Sequence, residues 1–309
     1  MIERVVVLQD VTKKIGGRTV IESMDLEICK GEIFGLLGPN GAGKTMTIRL
    51  MVGLIAPTFG DVFIHGHSVS RQFEAAIARV GTVFESPKFY DFLTGHENLL
   101  QYANMYPAVS RERIDEVINL NGLMDYIDDP VRTYSLGMRE RLGIAQALLH
   151  KPSILILDEP TNGLDPEGIK GLRDHLRNLA RLDGTTVVIS SHLLSEMELI
   201  CDRVAFIKKG RLIKVKPMAG LGSDSVFLFD VDRPDAACAV IRQQFPDTKV
   251  AVTGQIIEVV AELERIAELN ALLVRAEHKV YGIQPRHRAL EEEFLEVTTN
   301  AAADSVKPQ

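Results

Sequence analysis

Gly38-Pro39-Asn40-Gly41-Ala42-Gly43-Lys44-Thr45 decides the fold. It matches the phosphate-binding pattern G-x-x-x-x-G-K-[ST] at every position, and its flanks are those the pattern needs. Residues 32–37 before it read as a buried strand, and residues 46–52 after it read as a helix. Gly41 and Gly43 permit backbone conformations that a side chain would block. The loop N–H groups can then turn toward phosphate oxygens, with the positive end of the following helix behind them. Lys44 supplies a point charge for the β- and γ-phosphates, and the Thr45 hydroxyl is placed to ligate Mg²⁺.

A second stretch narrows the chemistry. Residues 153–157 form a continuous apolar run rich in branched side chains, as in a strand covered on both faces. It ends in Asp158-Glu159-Pro160. Asp158 at the strand tip can hold Mg²⁺ through water, and Glu159 can accept a proton from an attacking water. Two adjacent acids at the end of a buried strand are costly unless a cation or water uses them. Between loop and acids lies Tyr134-Ser135-Leu136-Gly137-Met138-Arg139. Read bare, it is a capped helix start: Ser135 as cap, Gly137 in the first turn, then an apolar stripe at Leu142, Ala145, Leu148 and Leu149. A serine hydroxyl, a glycine N–H and a helix N-terminus together also make a second anion site.

At this point the chain resembles the ATP-binding subunit of ABC transporters. The matches are Gly38 to Thr45 (Walker A), Ser135 to Arg139 (signature), Ile154 to Glu159 (Walker B), Asn162 to Asp165 (D-loop) and Ser191-His192 (switch histidine). They occur in family order. The resemblance implies an α/β P-loop NTPase fold, the ABC ATPase cassette, with an antiparallel β lobe and a helical lobe. It implies ATP and Mg²⁺ as cofactors, ATP hydrolysis, and a head-to-tail homodimer sandwiching two ATP molecules. Each ATP would lie between the Walker loop of one subunit and Ser135 and Gly137 of the other. His192 would contact the γ-phosphate, and Asp165 would cross the dimer seam. An integral membrane permease is the implied partner, placing the chain on the inner face of the cell membrane. Pairing with a paralogue is the alternative to a homodimer.

Departures from the family pattern point to a branch. Glu85 stands where the family usually has a glutamine that reaches toward Mg²⁺ and water. With Tyr134-Ser135-Leu136-Gly137-Met138 and Asn162-Gly163, it is similar to the ATPases of bacitracin- and lantibiotic-type self-protection exporters. Ile15 replaces an aromatic that stacks on adenine, weakening the hold on the base by roughly 1 kcal/mol or more. Met46 replaces a hydroxyl residue, at a cost of about 1 kcal/mol for one lost hydrogen bond. The alternative function is a soluble ATPase of the same architecture working without a membrane partner.

Composition bounds the rest. A net charge of −7 argues against a nucleic-acid binder built on a basic face. Cys29, Cys201 and Cys238 are few and scattered, which points to a reducing cytoplasm. Met1-Ile2-Glu3-Arg4 puts charges where a secretory signal needs an apolar core. No run approaches the roughly 18 apolar residues of a membrane span.

The organisation reads as an ATP-binding domain over 1–216, a Gly/Ser-marked linker over 217–225, a small α+β appendage over 226–300 and a flexible tail over 301–309. Within the appendage the order is strand, helix, two strands, helix, strand, last helix. Two arrangements fit: a ferredoxin-like unit of its own, or strands packed onto the main domain.

Overall fold

Alternating burial starts the chain. The computed structural model describes residues 3–84, 87–106, 108–218 and 226–286. In it β1 (Arg4–Ile15) pairs antiparallel with β2 (Arg18–Cys29), where Met24, Leu26 and Ile28 face inward and Asp25 and Glu27 face water. β3 (Ile33–Leu37) is buried at all five positions, as a strand covered on both faces must be. α1 (Lys44–Met51) follows the phosphate loop and inserts Ile48, Leu50 and Met51 into the core. Each fully buried aliphatic side chain there contributes about 1.5–3 kcal/mol. β4 (Phe59–Ile64) and β5 (His67–Ser68) complete an antiparallel sheet of order β2-β1-β4-β5.

α2 (Phe73–Ile77) leads to β6 (Val80–Val83). Three helices then form the helical lobe: α3 (Gly95–Ala103), α4 (Arg111–Leu120) and α5 (Leu136–Leu148). Thr94, Ser110 and Ser135 cap them, each side chain accepting an otherwise unpaired backbone N–H of the first turn. The chain continues through β7 (Ile154–Leu157), α6 (Pro166–Asp183), β8 (Thr186–Ser191), α7 (Leu194–Ile200), β9 (Arg203–Lys208) and β10 (Arg211–Pro217). The second sheet has the order β10-β9-β3-β8-β7-β6, parallel except for the edge hairpin β9–β10. Lys209 and Gly210 turn that hairpin, both with positive φ.

This order places β8 between β3 and β7. The phosphate loop, the acidic pair and His192 therefore leave neighbouring strands at their carboxyl ends, where ligands of open parallel sheets bind. Among the described residues no helix is long and apolar enough to cross a membrane.

The chain divides into two compact units, Met1–Met218 and Ala219–Gln309. The second contains β11 (Val226–Val231), α8 (Pro234–Gln244), β12 (Lys249–Thr253), β13 (Ile256–Val260), α9 (Leu263–Arg275) and β14 (Val280–Arg286). Its four strands form one antiparallel sheet of order β12-β13-β11-β14. Phe227, Phe229, Ile257 and Val259 meet Ile241, Leu269 and Leu273 in a core of its own. This is the ferredoxin-like arrangement: among the described residues its four strands pair with one another.

Some expectations shift. Pro217 ends β10, and the Met218 N–H donates to the Asp202 oxygen at 2.6 Å, so these two residues belong to the first unit and not to a linker. β6, for which the sequence gives no expectation, is a core strand whose apolar signal is confined to Val80 and Val83. α1 begins at Lys44, two residues before the expected start, because Gly43 already acts as its cap. Glu85, linker residues 219–225, the helix expected near 290–297 and the tail 301–309 lie outside the described residues.

Candidate functional site

The site begins where β3 ends. A Cβ at Gly38 would lie 2.3 Å from the Ile207 carbonyl oxygen, so only glycine lets the loop leave the sheet there. Gly43 turns into α1 with φ 111°, a value L side chains rarely adopt. The loop is closed by Ala42 N–H donating to Pro39 O (3.0 Å) and Gly210 N–H donating to Ala42 O (2.8 Å). Lys44 is buried. Its Nζ donates to Gly38 O at 2.8 Å and lies 3.0 Å from Glu159 Oε1.

The acidic side is held as tightly. Asp158 is buried at the tip of β7, where its Oδ1 accepts from Ser190 Oγ at 2.6 Å. The same Ser190 oxygen accepts the Glu159 N–H at 2.8 Å. Glu159 sits at φ 53°, a left-handed conformation that costs about 1–2 kcal/mol for a residue with a Cβ. Its hydrogen bond to Ser190 and its ion pair with Lys44 offset that cost. Oε2 of Glu159 accepts from His192 Nδ1 at 3.0 Å, so Nδ1 carries the hydrogen and Nε2 is left to act outward.

Lys44, Glu159 and His192 thus form a continuous chain. A phosphate drawing Lys44 Nζ toward itself would leave Glu159 held by His192 and free to take a proton. The cavity over Lys44 and Glu159, which His192 does not line, has a volume of about 510 Å³, within the range of small-molecule sites. Residues 40–46, Asp158 and Glu159 line it, joined by Val20, Arg49, Glu140 and Asn162.

Ser135, Gly137 and Asp165 are not part of this cavity. They line a second one, also about 510 Å³. Ser135 Oγ accepts the Met138 N–H at 3.3 Å as the cap of α5. Asp165 caps α6, accepting the Gly168 N–H at 2.8 Å. Both are exposed. Ile15 ends β1, 49% exposed, and lines neither cavity.

Glu140 lines both cavities. It is 5% exposed, and burial pushes its carboxyl up to about 7. Its position is legible only in part: it falls four residues before Ile144, on a buried stripe of α5, but a carboxylate between Arg139 and Arg141 reads as a solvated side chain. Ser190, Val20 and Arg49 carry no signal of their own, whereas Asn162 opens the D-loop match. Ser190 reads as the last residue of an apolar strand, and only the neighbouring strand supplies its two partners.

The residues present fit Mg²⁺. Among the described residues no cluster of three or more His, Cys, Asp or Glu could hold a metal by itself. The Thr45 hydroxyl and the Asp158 carboxylate line the same cavity as two hard oxygens. Mg²⁺ takes few protein ligands and completes its shell with water and phosphate.

Comparison with known proteins gives the family. The family model "ABC transporter" matches residues 21–162. An uncharacterized ABC transporter ATP-binding protein of Bacillus subtilis (strain 168), YhcH, is 47% identical over 293 residues, 94% of this chain and 95% of the relative. The bacitracin transport ATP-binding protein BcrA of Bacillus licheniformis is 39% identical over 292 residues, 93% of this chain and 95% of the relative. Among solved structures, a dimeric ATP-binding cassette in a post-hydrolysis state bound to ADP and Pi superposes with a TM-score of 0.61 at 27% identity, covering 70% of this chain and 99% of that one.

Proposed function

The chain belongs to the ATP-binding proteins of ABC transporters, and from that premise we propose how its two cavities divide the work of an ATP-hydrolysing subunit. The observation that carries the proposal is their separation. Lys44, Asp158 and Glu159 face one cavity while Ser135, Gly137 and Asp165 face another, so a single copy does not surround one nucleotide with both sets. Two copies set head to tail would bring the loop of one against the signature of the other and enclose two ATP molecules.

In this reading the loop amides and Lys44 bind the triphosphate. Thr45 and Asp158 would hold Mg²⁺, which neutralises phosphate charge when bound. Glu159 takes the proton of the attacking water, and His192 orients Glu159 through Nδ1 while its Nε2 faces the γ-phosphate. Preorganised groups of this type lower the barrier by positioning and electrostatics and need little covalent chemistry. Closure of the dimer on ATP and reopening after hydrolysis would drive a separate integral membrane permease. The chain would sit on the cytoplasmic face of the membrane through that partner.

Export of a peptide antibiotic or a similar amphiphile is the favoured task, supported by near full-length similarity to a bacitracin transport protein. The alternative of a soluble ATPase without a membrane partner is not favoured by that likeness. The test is isolation of the full chain from membranes. It is expected to co-purify with an integral membrane protein whose presence raises ATP turnover. A monomeric ATPase indifferent to any membrane fraction would remove the transport reading.

A further inference from the structure

Glu140 is a buried carboxyl that the reading above does not use. Its side chain forms part of the wall between the two cavities. It is more than nine-tenths buried, and burial alone acts on its carboxyl, with no hydrogen bond or neighbouring charge contributing. An unpartnered acid in such a place is costly as the anion and tolerable as the neutral acid.

The charged groups around it do not rescue the anion. From the phosphate loop and α1 come Lys44 and Arg49, and Lys44 is committed to Glu159 and Gly38. From the end of β7 come Asp158 and Glu159, which add negative charge. The second cavity brings Arg141, Asp165, Glu167 and the phenol of Tyr126. On α5 itself Arg139 is spent on Asp91 at 2.9 Å. Burial is accordingly the sole cause of the rise of the Glu140 carboxyl to about 7.

A triphosphate entering the first cavity adds several negative charges beside this group. We propose that Glu140 is a positioning residue that keeps its proton when nucleotide is bound and offers its O–H as a hydrogen-bond donor into the nucleotide cavity. ATP binding then draws a proton from solvent onto Glu140. The inference rests on the ATP-binding reading of the cavity and adds proton linkage to it. An acid held neutral so that it can donate is a known device of buried sites.

The sign follows from linkage. The free protein loses the Glu140 proton as pH rises through about 7, and the bound protein retains it, so affinity falls above that pH. If nucleotide excludes the anion, Kd rises about tenfold between pH 6 and pH 8, and close to half a proton is taken up per site at pH 7.

The test compares the full-length wild-type chain with Glu140→Gln. Binding of the Mg²⁺ complex of a non-hydrolysable ATP analogue is measured at pH 6, 7 and 8, with proton uptake read by calorimetry in two buffers of different ionisation heat. The wild type is expected to weaken toward pH 8 and to take up a proton. Glu140→Gln, which cannot ionise, is expected to lose both the extra pH slope and the uptake. Equal slopes in the two proteins would overturn the inference while leaving ATP binding intact. Should the variant not fold, the wild-type calorimetry decides alone, since no uptake at pH 7 overturns the inference. Wild type that binds no analogue at any pH would overturn the ATP-binding reading, and the inference with it.

Discussion

The two cavities of the cassette are equal in volume and opposite in construction. In the first, Lys44, Asp158 and Glu159 are drawn out of solvent and locked to one another by Ser190, His192 and the Gly38 carbonyl. In the second, Ser135 and Asp165 stay exposed, and each satisfies only the first turn of its own helix. Buried charge is stable only when every lone pair and proton is answered, so the first cavity must be organised before ligand arrives. Exposed caps need no such network. In the proposed division of work, the first would hold the nucleotide and the second would act on the nucleotide of another copy.

The largest expected effect breaks the first cavity without emptying it. Glu159→Gln keeps the shape and removes the base. Turnover is expected to fall by about 10²–10⁴-fold, the usual worth of a positioned general base. ATP affinity is expected to be kept or increased, because Lys44 loses its competing carboxylate. The variant should accumulate as a nucleotide-bound dimer, visible by size-exclusion chromatography with ATP. Unchanged turnover would show that the chain Lys44–Glu159–His192 is an ion-pair clasp only.

The second cavity is tested by changes that the fold tolerates. A Cβ at Gly137 would meet Leu164 Cδ2 at 3.6 Å, an ordinary van der Waals distance. Ser135→Ala removes a helix cap at a cost of about 1 kcal/mol. Both proteins are expected to fold and to bind ATP as monomers with unchanged affinity. Turnover is expected to drop about tenfold to a hundredfold in Ser135→Ala, the worth of one hydrogen bond to a charged group, and to drop in Gly137→Ala because the added methyl crowds the approach of phosphate. A weakened monomer affinity would mean that the two cavities share one nucleotide, against the division drawn here.

The same contrast explains what could be read from the chain. The phosphate loop and the acidic pair are contiguous, and each meaning is fixed by its neighbours in sequence: strand, glycines, helix. Residues 32–37 are legible as a strand because a short apolar run before turn residues has few other uses, and β3 occupies 33–37. β6 is not, since two valines around Gly81 and Thr82 carry too little pattern, and its place comes from pairing with β7. Ser190 and Glu140 were hidden for a related reason. Their roles arise from residues 31 or 32 positions away, or from two cavities meeting at one side chain. Contacts across the sheet leave no local trace. The ferredoxin-like order was visible as a succession of elements, but only register, with Val226 opposite both Val260 and Arg286, turns that succession into a separate sheet.

The smallest effect concerns the base. Val20 reaches the first cavity, but Ile15 does not line it and stands exposed at the end of β1. Neither side chain has a hydrogen-bonding group to read the edge of a purine. Stacking on an aromatic face would strengthen the hold on any base, because every base has a π-face, and it would discriminate little. Wild type is therefore expected to accept GTP with a Kd within about tenfold of that for ATP, since apolar contact alone separates the two poorly. Ile15→Tyr is expected to tighten both nucleotides by about fivefold, roughly 1 kcal/mol of stacking, with their ratio unchanged. Titration of both proteins with the two nucleotides checks this. A strong wild-type preference for ATP would show that a polar group reads the base from outside the cavity described. A gain confined to ATP in Ile15→Tyr would show that the phenol hydroxyl, and not the ring, makes the contact.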